Sequence, residues 1–447
     1  LRPDVERVGR LARRVLDATD VTDATDAVAE LCVHLRRYRT YLPDDSAGRA
    51  ALAEAGADAG AARPDLAATI DALASVIDAP ADDEAIELRT RWQQLTGPAT
   101  AKGVEDRAYF RWGPLASLAE VGNHPEPDRR VDPVAALHEH HAVVAERWPT
   151  TLLAGTTHDM VRSDDVRATG LALAGRSDAW AALLDLWERE GRLAEGVAPA
   201  TQWLALQTAV TTAGIGAERL TAFLVKAARE AELHSSWAHP SASFERRLGE
   251  LARDVLAWTP VTRLAASLDR VGRAITLALL AVRATAPGVP DYYQGAEAFR
   301  AVLVDPDNRV EPDQAELVDI GARAAYVDGP GAWVDPSAGT ARAVVIERLL
   351  ALRRERIDAL GPTGGYRSIP AEGPGADDVI AFARTVGDEA AVITVAPRAV
   401  VPVRQAELPL PPGCWRHVLV DDAPLAEGHV ELTPAFATFP AVVLVTR

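Results

Sequence analysis

The most informative stretch of the sequence is residues 151–167, which read TLLAGTTHDMVRSDDVR. Its first part, Thr151–Gly155, is a short apolar run that predicts a buried strand, and His158 and Asp159 follow shortly after it. A carboxylate placed just after a strand of an α/β barrel lies at the face where the active site forms, which makes Asp159 a catalytic candidate on position alone. The alternative is that Asp159 only caps the helix that follows.

Composition restricts the class of protein. With 447 residues, 48% of them hydrophobic, the chain can form two or three domains with a substantial core. Its 64 acidic and 47 basic residues give a net charge of −17, which repels nucleic acid and anionic membranes, so neither is an expected partner. Cys32 and Cys414 are far apart, which argues against a disulfide framework and a cysteine metal site. Without a long apolar run or a signal-peptide pattern, we expect a cytoplasmic protein.

Residues 1–147 are predicted to be a mostly helical insertion with barrel-associated segments. Apolar side chains recur at helical spacing at Val28, Leu31 and Leu35, and again at Leu66, Ile70, Leu73 and Ile77. Two segments carry loop signals, namely Tyr41–Asp45 and the Gly/Ala tract Glu54–Gly60.

Residues 148–361 are predicted to form the C-terminal part of a (β/α) barrel with a helical insertion. After the strand at 151, Ser163 followed by Asp164 and Asp165 is a typical helix start, with a capping hydroxyl and acids in the first turn. Helical patterns continue to about residue 258. A further helix presents one apolar face through Leu264, Leu268, Val271, Ile275 and Leu279. It leads into Ala284–Pro290, interpreted as the last barrel strand, and one more helix runs from Ala343 to about Glu355.

Residues 362–447 shift to β patterns. The predicted strands are Asp378–Phe382, Ala391–Val395, Val418–Val420 and Ala441–Val445, separated by Pro/Gly turns. The predicted fold class is therefore α/β, with a partial (β/α)8 TIM barrel that carries large helical insertions, plus a C-terminal all-β sandwich domain.

Several segments, taken in order, resemble maltooligosyltrehalose synthases, which are mutases of the α-amylase family (glycoside hydrolase 13-like). They are Lys102–Asp106 with Tyr109–Trp112, His158–Arg167, Pro287–Glu297 and Asp305–Arg309, and Lys226–Trp237 is similar to a further family block. The resemblance covers nearly the whole chain and corresponds to the C-terminal portion of the family's proteins.

The resemblance implies roles for the His158–Asp159 pair. In α-amylase-family enzymes this pair follows the seventh barrel strand. Asp159 would bind hydroxyls of the sugar at the cleavage point and stabilise its oxocarbenium-like transition state, while His158 would hold the same sugar. Neither would be the nucleophile or the proton donor.

The resemblance also implies a set of substrate-binding residues. The set comprises Arg162, Asp164, Lys102, Glu105, Asp106, Arg111, Lys226, Tyr293, Gln294, Asp305, Asn308 and Arg309. The sequence departs from the family pattern at Met160 and Val161, where the family has Thr and Lys, and at Gly113, where it has Asn. A Lys would donate a charged hydrogen bond worth roughly 1.5–3 kcal/mol, which Val161 cannot.

The other motifs have plainer interpretations. Lys102–Asp106 can be a Gly turn with surface charges, and Lys226–Trp237 an amphipathic helix that runs into a loop. His138–His141 fails as a zinc motif because Ala142 stands where a second ligand is needed, so a solvated helix face is predicted. Asp305–Arg309 does not continue as a calcium loop, and no dinucleotide fingerprint is complete. Neither a metal nor a cofactor is expected.

The sequence predicts an incomplete active site. Retaining glycoside chemistry needs two carboxylates about 5–5.5 Å apart, as nucleophile and acid/base. The resemblance implies that both lie upstream of the helical insertion with which this chain begins. Leu1 at the start and Met160 as the single methionine indicate a processed product or a fragment. A separate polypeptide carrying the N-terminal barrel half is therefore a possible partner.

Three functions stay open at this point. The first is the family's isomerase activity, that of (1→4)-α-D-glucan 1-α-D-glucosylmutase. It is an intramolecular transglycosylation that converts the reducing-end α-1,4 bond of a maltooligosaccharide into an α,α-1,1 bond in trehalose biosynthesis. This chain alone is expected to be inactive. The alternatives are a catalytically inactive α-glucan-binding chain and a related amylase-family hydrolase.

Overall fold

The computed structural model describes residues 1–17, 20–123, 131–324, 340–398, 403–421 and 423–446. They group into two compact units, one of Leu1–Trp112 with Ala227–Pro240 and one of Gly113–Lys226 with Ser241–Arg447. The domain boundaries predicted from the sequence, at 147/148 and 361/362, stay predictions. Across the described ranges, no helix is both long enough and apolar enough to cross a bilayer.

The first unit is helical. Its elements are α1 (Arg2–Leu16), α2 (Val21–Val33), α3 (Ser46–Ala62), α4 (Ala67–Asp78), α5 (Asp83–Ala99), the π-helical stretch Thr100–Ala108 and the short helix α6 (Tyr109–Arg111). Asp20, Asp45 and Asp82 each cap a helix by accepting a backbone N–H of its first turn. Leu31 and Ile70, two of the residues predicted from helical spacing, are fully buried in the core, which confirms that periodicity.

One of the two predicted loops is confirmed and the other is wrong. Tyr41–Asp45 contains neither helix nor strand, whereas the tract Glu54–Gly60 lies inside α3. Alanine is the strongest helix former, so a tract rich in Ala keeps its helical propensity despite its glycines. A Cβ on Gly56 would come within 3.5 Å of Ala74, so the small residues of this tract allow α3 and α4 to pack closely.

The second unit is mostly helical up to residue 360. Its helices are α7 (Pro133–Arg147), α8 (Asp164–Ala174), α9 (Ser177–Arg189), α10 (Pro199–Thr211), α11 (Ala217–Ala231, whose residues from Ala227 belong to the first unit), α12 (Ala242–Ala257), α13 (Thr259–Thr285), α14 (Gln314–Ala324), α15 (Thr340–Glu355) and α16 (Ile357–Leu360). Short 3-10 turns lie at Ala116–Leu118 and Asp307–Arg309. Ser163 caps α8 by accepting the Val166 N–H, as predicted, and the predicted helix ending near Glu355 is confirmed as α15.

The helix predicted from the apolar face at 264–279 is confirmed as α13, but its buried side is rotated relative to the prediction. Leu268, Gly272 and Thr276 are buried, whereas Leu279 is 39% exposed. The crossing with α8 explains the rotation. A Cβ on Gly272 would meet Thr169 Oγ1 at 2.4 Å, so only a glycine lets the two helices approach this closely.

Two short parallel strands flank the helices α8–α13 in sequence. β1 (Leu152–Ala154) pairs with β2 (Val289–Asp291). The strand predicted at Thr151–Gly155 is present but not buried, because Leu152 is 71% exposed with no described segment over it. The strand predicted at Ala284–Pro290 is wrong in its first half. Ala284 and Thr285 are the last two residues of α13, and the strand β2 begins only at Val289.

A β region extends from residue 365 to residue 446. An antiparallel five-stranded sheet has, in spatial order, β3 (Gly365–Ser368), β4 (Val379–Val386), β5 (Glu389–Pro397), β9 (Val442–Thr446) and β7 (Trp415–His417), and β6 (Glu407–Pro409) pairs separately with β8 (His429–Glu431). The strands predicted at 378–382, 391–395 and 441–445 are confirmed as β4, β5 and β9.

Two details of the predicted β domain are wrong. Val418–Val420 is not a strand, because β7 pairs with β9 only up to His417 and the chain then bends. A helix, α17 (Leu432–Thr438), follows β8, so the region is not purely β. A three-residue 3-10 turn, Ala376–Asp378, precedes β4.

Alternate side chains of the five-stranded sheet face two different cores. Ile393 and Val395 point into a core shared with Leu408 of β6, whereas Val392 and Ala396 pack with residues of α13 and α15. One face therefore packs on the small sheet, as in a sandwich, and the other face packs on helices.

Arg384 of β4 joins this sheet to the helices. It is 1% exposed, and its guanidinium donates to the carbonyls of Thr285 (3.1 Å), Gly364 (3.2 Å) and Gly365 (2.9 Å). Burial lowers the pKa of Arg384 to about 10. Its charge is thus balanced chiefly by carbonyl dipoles, including the last carbonyl of α13.

Candidate active site

His158 and Asp159 lie on an exposed turn just after β1. The Asp159 carboxylate has no hydrogen-bond or ion-pair partner among the residues that the structure describes, and its backbone N–H donates to Thr157 Oγ1 at 3.3 Å. Since β1 and β2 run parallel, the turn lies at their carboxyl edge, where α/β proteins place their sites. Asp159 is therefore available to a ligand.

The segment 305–309 holds the turn on one side. Asn308 is 5% exposed, and its Nδ2 donates to the carbonyls of His158 (2.8 Å) and Met160 (3.1 Å). Arg309 Nε donates to the same His158 carbonyl at 3.3 Å. The structure thus brings two of the predicted substrate-binding residues to the turn, with the Asn308 amide engaged by the backbone.

Glu120, which sequence reasoning missed, holds the turn on the other side. Its Oε1 accepts the Val161 N–H at 2.8 Å, and its Oε2 accepts the Arg162 N–H at 2.9 Å. The Val161 side chain is 6% exposed, so the position at which the family pattern has Lys faces the protein interior in this chain. No sequence signal marks Glu120, because it contacts residues about 41 positions away.

Arg162 is buried at the base of the turn, with 3% exposure. Its Nη1 donates to the Ala116 carbonyl at 3.1 Å, and the guanidinium lies 5.6 Å from the centre of the Phe223 ring. Burial lowers the pKa of Arg162 to about 10, against the opposing effect of the Glu120 charge. These contacts support the turn, and the predicted contact of Arg162 with substrate stays a prediction.

A buried Asp–Arg cluster, formed by Asp164, Asp165, Thr276, Arg283 and Arg342, lies at the start of α8. Arg342 Nη2 lies 3.0 Å from Asp164 Oδ2, and its Nη1 lies 2.5 Å from Asp165 Oδ1. Arg283 places a second guanidinium 3.4 Å from Asp164 Oδ2, and Thr276 Oγ1 donates to Asp165 Oδ1 at 2.9 Å. Asp164, predicted to bind substrate, is thus engaged by protein groups in this structure.

The two carboxyls of the cluster have pKa values shifted in opposite directions. Burial acts to raise both. For Asp164, the charges of Arg342 and Arg283 outweigh burial and lower its pKa to about 2. For Asp165, burial dominates and, together with the neighbouring Asp164 charge, raises its pKa. Asp164 is therefore the ionised partner of the arginines, and Asp165 is the first of the two to take up a proton on acidification.

Three predicted sugar-binding residues form a charged group beside the turn. Arg309 Nε lies 2.5 Å from Asp305 Oδ1, and Lys226 Nζ lies 3.8 Å from Asp305 Oδ2. The Arg309 side chain is 54% exposed, so part of its guanidinium faces solvent. The group connects to His158 through the hydrogen bond from Arg309 to the His158 carbonyl.

Tyr293 and Gln294 follow β2 and line a small cavity with Asp307 and Asn308. The cavity has a volume of about 20 Å³, enough for about one water molecule. Gln294 Nε2 donates to the Val310 carbonyl at 3.1 Å. The cavity is too small for a sugar ring. Tyr293 and Gln294 therefore lie next to Asn308, which holds the turn, without forming a sugar pocket there.

The remaining predicted site residues lie in the first unit, on the π-helical stretch and α6. Lys102 pairs with Asp106, and both side chains are exposed. Glu105 is buried, and Arg111 Nε donates to the Ala231 carbonyl at 2.7 Å. Lys102, Asp106 and Arg111 are thus at least partly exposed to solvent, and of the four only Glu105 is buried.

The solvated face predicted at His138–His141 is wrong for two of its residues. His138 Nδ1 and His141 Nδ1 lie 2.7 and 3.2 Å from the Tyr366 hydroxyl on β3. Burial lowers the pKa of both histidines, that of His141 to about 4. Within the described residues, no group of three or more His, Cys, Asp or Glu side chains is arranged to hold a metal ion.

Arg342 of the Asp–Arg cluster is the other residue near the turn that sequence reasoning missed. It lies on the face of α15 that carries Val345, Ile346 and Leu349, all of them buried. A charge on an otherwise apolar helix face is the signal that could have found it, because a buried charge needs a partner. The sequence could not show which residue that partner is, because 178 positions separate Arg342 from Asp164.

Known proteins resemble the chain in both sequence and structure. A Mycobacterium tuberculosis protein named as a maltooligosyl trehalose synthase is 34% identical over 439 residues, covering 94% of this chain and 52% of that protein. The structure of maltooligosyltrehalose synthase from Arthrobacter ramosus matches with a TM-score of 0.83 and 31% identity, covering 99% of this chain and 56% of that chain. The chain is a relative of the maltooligosyltrehalose synthases.

The extent of this relationship is limited by length. The chain spans about half the length of the maltooligosyltrehalose synthases it matches, and the predicted resemblance to their C-terminal portion is confirmed. A structure from Sulfolobus tokodaii, titled a hypothetical maltooligosyl trehalose synthase, matches at 23% identity with a TM-score of 0.73, covering 100% of this chain and 56% of that chain, which supports the fold alone. No family model matches the chain.

Proposed function

We propose that this chain contributes the transition-state-stabilising part of a maltooligosyltrehalose synthase. The reaction converts the reducing-end α-1,4 bond of a maltooligosaccharide into an α,α-1,1 bond by intramolecular transglycosylation. Asp159 would stabilise the oxocarbenium-like transition state, and His158 would hold the same sugar. The observation that carries the proposal is the exposed Asp159 at the carboxyl edge of a parallel strand pair, in a chain with relatives of this name.

The fold proposed for the complete enzyme is a (β/α)8 barrel to which β1 and β2 belong. Parallel strands are ordinarily covered on both faces, yet Leu152 on β1 is 71% exposed. The remaining strands, supplied by a separate polypeptide or by an upstream part of the same protein, would cover them. They would also carry the nucleophile and the acid/base that retaining chemistry requires. The two cysteines, far apart in the sequence, favour the cytoplasm as its location.

The proposed substrate-binding residues divide by exposure. Those at least partly exposed suit direct contact with sugar hydroxyls, and they are Lys102, Asp106, Arg111, Lys226, Tyr293, Gln294, Asp305 and Arg309. The buried ones make protein contacts and would act through the shape of the site, and they are Glu105, Arg162, Asp164 and Asn308.

Product analysis tests the proposal. The purified chain is incubated with maltopentaose, alone and together with a polypeptide carrying the first barrel strands of a maltooligosyltrehalose synthase. We expect no product from the chain alone and a non-reducing, trehalose-ended pentasaccharide from the mixture. Free glucose or maltose as the main product would indicate a hydrolase instead. A trehalose-ended product from the chain alone would contradict the proposal that the nucleophile and acid lie elsewhere.

One observation favours the inactive glucan-binding chain as a second candidate. Val161 is buried where the family pattern has Lys, and Arg162 and Asp164 are engaged inside the protein, which leaves fewer charged groups free to contact a sugar. This candidate predicts that calorimetry detects maltopentaose binding by the chain, that Asp159→Asn does not weaken it, and that no mixture turns over.

A further inference from the structure

The turn between β1 and α8 has no helix or strand, and its backbone pairs regularly only at an isolated antiparallel bridge between Arg162 and Leu303. A buried N–H or carbonyl group without a partner costs about as much as a lost hydrogen bond, so the buried end of such a turn needs partners. Val161 and Arg162 form that end, with 6% and 3% exposure. Their N–H partners come from outside the turn.

One carboxylate supplies both partners. Glu120 accepts the N–H groups of Val161 and Arg162 through its two different oxygens, at 2.8 and 2.9 Å, and its Oε1 also accepts the Val121 N–H at 3.0 Å. Glu120 is 2% exposed, and the buried Arg162 guanidinium is its electrostatic counterpart. Hydrogen bonds to an ionised acceptor are roughly twice as strong as neutral ones.

The segment that carries Glu120 is itself fixed to the helices. Gln207 on α10 accepts the Ala116 N–H at 2.8 Å and donates to the Gly113 carbonyl at 2.7 Å. The Ala116 carbonyl accepts from Arg162 Nη1 at 3.1 Å. The segment that carries Glu120 is therefore hydrogen-bonded to α10, and Glu120 in turn is hydrogen-bonded to the backbone of the turn.

Asn308 holds the opposite end with the opposite polarity. Its amide donates to the carbonyls of His158 and Met160, whereas Glu120 accepts the next two N–H groups along the chain. The backbone on both sides of Asp159 is thus fixed, while its carboxylate stays exposed. We propose that Glu120 is a positioning residue that, opposite Asn308, sets where the Asp159 carboxylate lies. The inference rests on the proposed function, which gives the turn its catalytic role.

The experiment compares Glu120→Gln with the matched control Glu146→Gln, which changes an exposed glutamate on α7. The amide keeps only one accepting oxygen, so we expect whichever of the Val161 and Arg162 backbone amides loses its acceptor to exchange hydrogen about 10-fold faster or more in Glu120→Gln. Amides of β5 should keep their parental exchange rates. The His158 ring signals in NMR spectra should move, while those of His417 in β7 should not. The control should match the parent in every readout.

Parental exchange at Val161 and Arg162 in a folded Glu120→Gln chain would overturn the proposal. If that variant does not fold, hydrogen exchange is measured in the parent chain instead. We then expect the Val161 amide to exchange at least about 10-fold more slowly than the amide of exposed His158. Equal rates would overturn the proposal.

None of these readouts involves sugar. A chain whose Val161 and Arg162 amides are protected from exchange but that never supports turnover would therefore contradict the proposed function and leave the positioning of the turn by Glu120 standing. In an active mixture, Glu120→Gln should lower kcat with KM near the parental value, and a raised KM with parental kcat would contradict a positioning role.

Discussion

Asp159 and the pair Asp164–Asp165 belong to one short stretch of sequence and lie in opposite environments. Asp159 is exposed on the turn after β1, whereas Asp164 and Asp165 are buried against Arg342. The elements that carry them cause the difference. A turn at the end of a strand projects its side chains into solvent, and the start of α8, packed against α13, turns its side chains inward. The same residue type is thus available to a ligand at one position and engaged in ion pairs a few residues later.

The largest expected effect is on the buried side of this comparison. Arg342→Met removes the guanidinium shared by Asp164 and Asp165, both of which stay buried, so we expect a loss of about 3–5 kcal/mol in the free energy of unfolding. Urea denaturation measures it. The control is Arg348→Met on the same helix, which removes a more exposed pair with Asp421 and should cost at most about 1 kcal/mol. Equal losses in the two variants would show that the cluster is not the more stabilising of the two.

On the exposed side, the expected effect is on catalysis. Asp159→Asn should leave the free energy of unfolding within about 0.5 kcal/mol of the parent, because its carboxylate has no partner among the described residues. In a mixture that converts maltopentaose, the variant should lower turnover by about 10²-fold with little change in maltopentaose affinity. Steady-state kinetics and calorimetry measure the two quantities. Turnover equal to the parent would remove Asp159 from the site.

A pair of isosteric changes sharpens the comparison at the level of single hydrogen bonds. Thr276→Val removes the donor to buried Asp165, and we expect a cost of about 2 kcal/mol, since the acceptor is a buried carboxyl. Thr157→Val removes the acceptor of the Asp159 N–H on the exposed turn, where water can replace it, so the cost should be below about 0.5 kcal/mol. Denaturation of both variants under one condition tests this, and a larger cost at Thr157 would reverse the comparison.

The smallest effect concerns a half-buried site between the two extremes. The pKa of His141 falls to about 4 in the folded chain, against about 6.5 in an unfolded one. The unfolded chain therefore binds more protons between these values, so the stability from His141 is fully present above pH 6.5 and is lost as the pH falls towards 4.

His141→Asn should reduce the stability difference between pH 7 and pH 5 by about 1 kcal/mol, a figure reduced to allow for the partial exposure of the ring. His429→Asn, at an exposed position of β8, should reproduce the parental difference. Urea denaturation at the two pH values makes the measurement. A parental pH dependence in His141→Asn would show that burial does not hold the His141 ring neutral.

Local patterns account for the parts of the fold that the sequence predicted. The start of α8 at Ser163, the length of α15 and the strands β4, β5 and β9 all follow from capping residues or periodicity within one element. The candidate turn was found the same way, because a strand followed by His158 and Asp159 is a local pattern. The roles of these residues as a site stay predictions.

Contacts between distant segments account for what the sequence could not predict. Leu279 fits the apolar face of α13 by spacing, but the close crossing at Gly272 rotates the helix and exposes it. His141 lies in a helix that looks solvated until Tyr366, from a strand more than 200 positions later, covers it. Glu120 is an ordinary acid until folding places two backbone N–H groups against it.

Arg384 limits how this chain can be recombined with its relatives. Its guanidinium donates hydrogen bonds to the carbonyls of Thr285 at the end of α13 and of Gly364 and Gly365 at the start of the sheet. A chimera that kept α13 but took its β4 from a homologue without an arginine here would leave buried carbonyls without donors in both parts. The β region is therefore not a module that can be exchanged alone. Crossover points in such chimeras should lie before α13, so that Arg384 and the end of α13 come from the same parent protein.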